Sequence, residues 1–348
     1  MSTNVVATSD VSLGDLEWVQ DPSYATEANT FYIHADDGAF AIVQIAYSTM
    51  SWSPSVQVSA AYHGADGFKK RHTATLSGGS FKPTDDKLSV QCENIKVTFD
   101  AERKAYKVSL HAAPAFMADF EFVAVDGFSQ VNGGKHPFKA ADPAAGYVQA
   151  QFIPKAKVTG HITTDGKLHD ISGSGLFVKA IQKVPQCVAR WSFVDFQNEK
   201  DALLMYQFEM PDGYDYDFRV RSEGYIVLNN KTIAVTLDNF TKILNTSHDP
   251  FSGYEIPSAA EYKWSGLAKD GRAIHIDMKV PLNRLLDKID LLGELPYLIR
   301  KFIQTFLTAP FVYQWFEEAT ANVTIGEEKL TLKGRVFHEN AFLAALPN

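Results

Sequence analysis

Ile95-Lys96-Val97-Thr98-Phe99-Asp100, a short break, then Tyr106-Lys107-Val108-Ser109-Leu110-His111: the alternation in this stretch decides the fold. Every second residue is apolar, so a pleated strand carrying it has one greasy face and one wet face. The same period returns far away. Tyr216, Phe218 and Val220 alternate with Asp217, Arg219 and Arg221. Ile274, Ile276, Met278 and Val280 alternate with His275, Asp277 and Lys279, and Leu330, Leu332 and Val336 with Thr331, Lys333 and Arg335. Half-buried strands of this kind belong to antiparallel sheets. Short turn signals separate them: Asp36-Asp37-Gly38, Asp165-Gly166, Asn229-Asn230 and Asp270-Gly271. Strands joined by tight turns, without interleaved helices, exclude a parallel α/β sheet. So many short strands must hide their edges, and curling into a barrel is the commonest solution, with a sandwich as the alternative.

Only one stretch has helical spacing, about 282–307. Apolar residues recur at Leu282, Leu285, Leu286, Ile289 and Leu292, and again at Leu298, Ile299, Phe302, Ile303 and Phe306. The Gly293–Pro296 break divides it into two predicted helices. Exposed apolar stripes of this length are rare, which favours packing over a barrel mouth or between domains above a lid or membrane-surface role. With 348 residues the chain is long enough for two domains. Ile153-Pro154 interrupts a strand and a turn-rich stretch, Thr163–Lys167, follows, so the expected domains are 1–160 and 161–348. No strict internal repeat is visible, although both halves share one strand-turn texture.

Composition narrows the function. A net charge of −8 with no basic stripe argues against nucleic acid as a partner. The 24 Phe and 14 Tyr suit both strands and the walls of an apolar cavity. Cys92 and Cys187 are too few for a disulfide framework. The start Met1-Ser2-Thr3-Asn4-Val5-Val6 lacks a basic region followed by an apolar core, and no apolar run reaches 18 residues. The expectation is a cytoplasmic protein without stable membrane insertion; oligomeric state stays open.

The familiar catalytic signatures are missing: no Gly-x-Ser-x-Gly elbow, no Gly-x-x-x-x-Gly-Lys and no Gly-x-Gly-x-x-Gly. Ser172-Gly173-Ser174-Gly175 sits inside a strand pattern, where a bulge or close packing explains it. The ten histidines show no metal-binding spacing, so neither metal nor cofactor is expected. Catalytic residues are therefore not identified. For a ligand wall the candidates are large amphipathic side chains in strand-like contexts: Tyr47, Trp52, Trp191, Tyr206, Trp264 and Tyr313, joined by Arg190. Each aromatic is equally at home in a core. Arg190 faces opposite to Trp191, either into a barrel as a buried cation needing a partner, or out to solvent.

Gly175-Leu176-Phe177-Val178-Lys179-Ala180-Ile181-Gln182, followed by Ala189-Arg190-Trp191 and Phe196-Gln197, resembles the fungal cell-survival (survival factor) family. The resemblance runs nearly end to end. Leu16-Glu17-Trp18, Thr30-Phe31-Tyr32 and Gln44 with Tyr47-Ser48 carry it in the N-terminal half. Trp264-Ser265-Gly266, Lys269-Asp270-Gly271, Arg284–Asp290 and Glu294-Leu295-Pro296 carry it in the C-terminal half. It implies a mainly β chain of two lipocalin-like antiparallel barrels, an architecture shared with carotenoid-hydratase-like proteins and some fungal Diels–Alderases. It also implies a hydrophobic small-molecule ligand, ceramide among them. Polar positions differ from the family's pattern: Lys179 stands where a histidine is expected, Gln186-Cys187 where paired histidines are, and Ile153-Pro154-Lys155 where Trp-Pro-Arg is. That pattern suits a paralogue with a new ligand. The first expectation is a pericyclase or cyclase of the Diels–Alderase type, needing only positioning and one or two hydrogen bonds. The alternatives are a non-catalytic lipid carrier and a ligand-free scaffold.

Overall fold

A computed structural model of the chain describes residues 8–9, 11–112, 114–184, 188–211, 215–291, 293 and 310–343. The chain divides into two compact units, an N-terminal one from Thr8–Pro137 with Pro143–Pro185, and a C-terminal one that includes Phe138–Asp142 and Gln186–Asn348. Each is built on one large antiparallel sheet.

The predicted turns sit where the backbone demands them. Asp165 and Gly166 have φ of 48° and 81°, and Asn229 and Asn230 have 49° and 61°. Two successive left-handed residues match the twist of flanking strands, which is why Asn, Asp and Gly fill them.

The N-terminal sheet runs in the order Lys69–Ser77, Ser55–His63, Phe40–Ser48, Ala25–Ala35, Gly173–Lys183, Tyr147–Thr164, Phe116–Ala124, Ala105–Ala112, Ile95–Asp100, Val90–Cys92, Lys82–Pro83. Its two outermost strands, ending at Ser77 and starting at Lys82, are consecutive in sequence. Laid flat, eleven strands would span about 48 Å. The linker from Ser77 to Lys82 reaches about 18 Å at most. The sheet must therefore curl.

The C-terminal sheet repeats the device: Lys231–Thr236, Val220–Leu228, Ala202–Glu209, Arg190–Gln197, Glu328–Phe342, Phe311–Ile325, Ala273–Pro281, Glu255–Leu267, Asp238–His248. Here a single residue separates the outermost strands, Thr236 and Asp238. Both sheets are half-barrels: among the described residues no hydrogen-bonded ladder joins the end strands. At the C-terminal seam, Lys269 N donates to Ile233 O at 2.7 Å instead. The parallel goes further. In each unit the first long strand pairs with the last, Ala25–Ala35 with Gly173–Lys183 and Arg190–Gln197 with Glu328–Phe342. In each, a short strand lies beside the start of the long penultimate one, Lys135–Pro137 on Tyr147–Thr164 and Leu285–Asp290 on Phe311–Ile325. The repeat lives in topology, where sequence comparison of the halves does not reach it.

Inner faces form the cores. In the N-terminal unit Phe31, Tyr106, Phe120, Phe122 and Phe177 meet edge to face or stacked. Gly173 and Gly175 are there because of close approach: a Cβ on Gly173 would lie 2.2 Å from His34 O, and one on Gly175 2.5 Å from the Phe122 ring.

Two expectations are corrected. The strand Tyr147–Thr164 runs through residue 160, and Gly173–Lys183 belongs to the same sheet, so the sheets change over between Lys183 and Arg190, not at 160/161. Pro154 marks no boundary: the register shifts between Ile153 and Ala156, a bulge that tolerates a residue with no N–H to donate. Second, Leu285–Asp290 is a strand, not the start of a helix. Its register also shifts, between Leu285 and Asp287, so Leu286 and Ile289, three apart, are both buried. A bulge thus imitates helical spacing. Of the expected helical segment, Leu292 and 294–307 lie outside the described residues, as does Cys187. The one α-helix described is Leu13–Leu16, closed by a capping box of Ser12 and Asp15.

Candidate ligand-binding site

The seven candidate side chains separate by strand parity. In the C-terminal unit, Val194 and Phe196 line the core, so Arg190 shares their inward register while Trp191 faces the other way. Arg190 is partly buried at the strand's first position, its guanidinium 5.3 Å from the Phe342 ring and its Nε without a partner. Trp264 and Tyr313 are fully buried in the same interior. Trp191 and Tyr206 lie on the opposite sheet face. Trp191 Nε1 donates to Glu339 Oε1 at 2.9 Å, and Tyr206 packs against Phe193 and Phe208. In the N-terminal unit, Tyr47 packs against Phe81 at the core's margin, whereas Trp52 stands fully in solvent on the turn between Phe40–Ser48 and Ser55–His63. The structure thus puts Trp264 and Tyr313 in one core, with Arg190 at its edge against Phe342, and the other four do not line that core.

Around these three runs a chain of rings. Phe342 meets Tyr313 at 5.9 Å, Tyr313 meets Trp315 at 6.0 Å, and Trp315 meets His338 at 5.5 Å. His338 meets Tyr262 at 5.6 Å, and Tyr262 meets Trp264 at 6.4 Å. Some polar ends in this wall are satisfied. Trp264 Nε1 donates to Leu204 O at 2.9 Å, and Tyr313 Oη donates to Asp249 Oδ2 at 2.5 Å. Burial pushes the Asp249 carboxyl upward, but hydrogen bonds from Tyr313, Ser252, Lys288 and the Phe251 N–H outweigh it and hold it well below the usual carboxylate range.

Other polar ends are not satisfied. Tyr262 Oη, Ser192 Oγ and both ring nitrogens of His338 are buried without a partner in good geometry. Burial pushes His338 down to about 3, against a smaller upward pull from the Phe193 backbone, so the ring is neutral at ordinary pH. A neutral imidazole offers one donor and one acceptor. Leaving such a group unmade costs about 1–3 kcal/mol. Apolar walls with a few convergent polar groups are what binds an amphipathic small molecule. Sequence reasoning missed Tyr262, His338 and Ser192. The signal was the alternation Val336, His338, Asn340, Phe342, which puts His338 on the inner face. Among the described residues no cluster of His, Cys, Asp or Glu could hold a metal ion, and no helix is long and apolar enough to cross a membrane.

Residues 4–344 match the model of the Svf1 family. The chain belongs to the Svf1 family. It is 27% identical to the ceramide-binding protein svf1 of Emericella nidulans, over 97% of this chain and 90% of the relative. It is 26% identical to the ceramide-binding protein svf1 of Schizosaccharomyces pombe, over 95% and 88%. Survival factor 2 of the same yeast is 24% identical over 94% and 93%. Among solved structures, CghA with Sch210972 superposes with a TM-score of 0.66 at 11% identity, covering 93% of this chain and 89% of CghA. Kievitone hydratase from Nectria haematococca gives 0.58 at 13%, covering 93% and 92%. At these identities the likeness is one of fold: this Svf1-family chain has the lipocalin-like architecture of those proteins.

Proposed function

We propose that this Svf1-family chain is a non-catalytic carrier of a ceramide-class lipid, held in the C-terminal half-barrel. One observation carries the reading: four polar atoms, on Tyr262, Ser192 and His338, are buried without a hydrogen bond of good geometry in an aromatic wall. A ceramide presents an amide N–H, an amide carbonyl and hydroxyls on an apolar body. Those groups complement a phenol, a hydroxyl and a neutral imidazole, while the alkyl chains lie against Trp264, Trp315 and Phe342. The names of its relatives support the same ligand class.

The cyclase reading has one observation in its favour, the fold shared with a hydratase and with CghA. In that reading the same donors polarise a carbonyl of a folded substrate. His338, held neutral by burial, would serve there as a hydrogen-bond donor and not as an acid or base. Native mass spectrometry with a short-chain ceramide decides. Specific uptake by the wild-type chain, lost in Tyr262→Phe/His338→Phe, supports the carrier. Failure to take up any ceramide, with turnover of a reactive polyene, overturns it.

A further inference from the structure

Three central strands of the N-terminal unit carry a buried polar row directly beside its aromatic core. Asn29, Lys179 and Gln151 are cross-strand neighbours on Ala25–Ala35, Gly173–Lys183 and Tyr147–Thr164. Their parity matches Phe31, Phe177 and Ile153, which line the core one step further along. Asn29 is 1% exposed, and Gln151 and Lys179 are 0%. Lys179 Nζ donates to Glu27, and lies 5.0 Å from the Trp18 ring. The Glu27 carboxylate also accepts from Val19 N at 3.0 Å and Gln20 N at 2.9 Å, so the segment after the Leu13–Leu16 helix is tied across this end of the half-barrel. Gln151 Nε2 donates to Gln130 Oε1 at 3.3 Å.

Three atoms in this cluster have no partner: Asn29 Oδ1, Gln151 Oε1 and Trp18 Nε1. All three residues are buried beyond nine-tenths. Two acceptors and a donor are thus left unpartnered in one buried cluster beside the aromatic core. In this cluster Lys179 and Glu27 balance each other, so a charged head group entering here would find no counter-charge from that pair. A neutral hydroxyl- or amide-bearing group would not. In the repeated topology, the row Ser192, Asn340 and Tyr313 occupies the corresponding three strands of the C-terminal unit.

We infer that the N-terminal half-barrel is a second binding site, for a neutral hydrogen-bonding head group on an apolar body, so that one chain carries a ligand in each unit. This rests on the carrier reading for the ligand's class, and the test separates the two. The probe is N-hexanoylsphingosine, titrated into the full chain and counted by native mass spectrometry. Asn29→Leu/Gln151→Met removes the unpartnered amides while leaving Lys179 and Glu27 in place. It is expected to fall from two bound probes to one, with affinity at the lost site down roughly tenfold or more. It is also expected to melt close to wild type, because losing two unsatisfied buried oxygens offsets the lost Gln151–Gln130 hydrogen bond. Tyr262→Phe/His338→Phe is expected to lose the other probe. Saturation of the wild type at one probe, insensitive to Asn29→Leu/Gln151→Met, overturns the second site and leaves the carrier reading standing. No uptake at all overturns both. A single probe lost only with the N-terminal variant keeps this site and overturns the C-terminal one.

Discussion

Tyr313 Oη donates to Asp249 Oδ2 at 2.5 Å, and the same phenol lies 2.6 Å from Ser252 Oγ. A strand of the aromatic core is thereby tied to the turn after Asp238–His248, an outermost strand of its sheet. Because hydrogen bonds hold Asp249 below its unfolded range, its stabilisation is complete above about pH 4 and is lost as pH falls beneath that. Asp249→Asn is expected to cost about 1–3 kcal/mol at neutral pH and to flatten the stability profile in acid. Urea unfolding at pH 7 and pH 3 measures both; an unchanged acid limb would refute the assignment.

His338 predicts a different window. Its folded pKa is pushed down to about 3, so between that value and the unfolded value near 6.5 the unfolded chain binds the extra proton. Stability therefore rises with pH across that window, by about 1.4 kcal/mol per pH unit. His338→Phe should abolish this slope and leave the Asp249 limb in place. Melting temperatures recorded from pH 4 to pH 7.5 read it directly.

Lys179 and Glu27 form a pair sealed from solvent. Removing one partner strands the other charge. Lys179→Met alone should cost about 3–5 kcal/mol, and Lys179→Met/Glu27→Gln distinctly less. Denaturant midpoints of the single and double variants would show this. Equal losses would mean that Glu27 is held by the Val19 and Gln20 N–H groups without help from the lysine.

Trp52, wholly exposed, supplies the opposite expectation. Trp52→Ser should change stability by no more than about 0.5 kcal/mol and leave uptake of a water-soluble ceramide unchanged. A loss of uptake in the same titration would return Trp52 to the ligand wall.

What the sequence made legible was whatever follows from period two. The alternation at Ile95–His111 and Ile274–Val280 shows strands, and the Asp-Gly and Asn-Asn turns show hairpins, because each is a local rule. Trp264 and Tyr313, two of the seven candidates picked by residue type, are buried in the C-terminal core. Trp191 and Tyr206 have the same chemistry but the opposite parity, and residue type alone says nothing about which face is the inner one. Leu285–Asp290 was misread because a bulge shifts parity, an event with no signature in composition. His338 and Tyr262 were passed over for a similar reason: what sets them apart is a missing partner, and partners come from strands distant in sequence.

Pairing the first long strand of each unit with its last has a consequence for biosynthesis. Ala25–Ala35 emerges from the ribosome well before Gly173–Lys183, the neighbour that covers its free edge. Until then the nascent N-terminal sheet exposes an unpaired template rich in Phe, Tyr and Ile, the situation in which chaperones are recruited and truncated products aggregate. A premature stop anywhere before residue 173 should leave that edge permanently open, making nonsense products of this chain sticky rather than merely inactive.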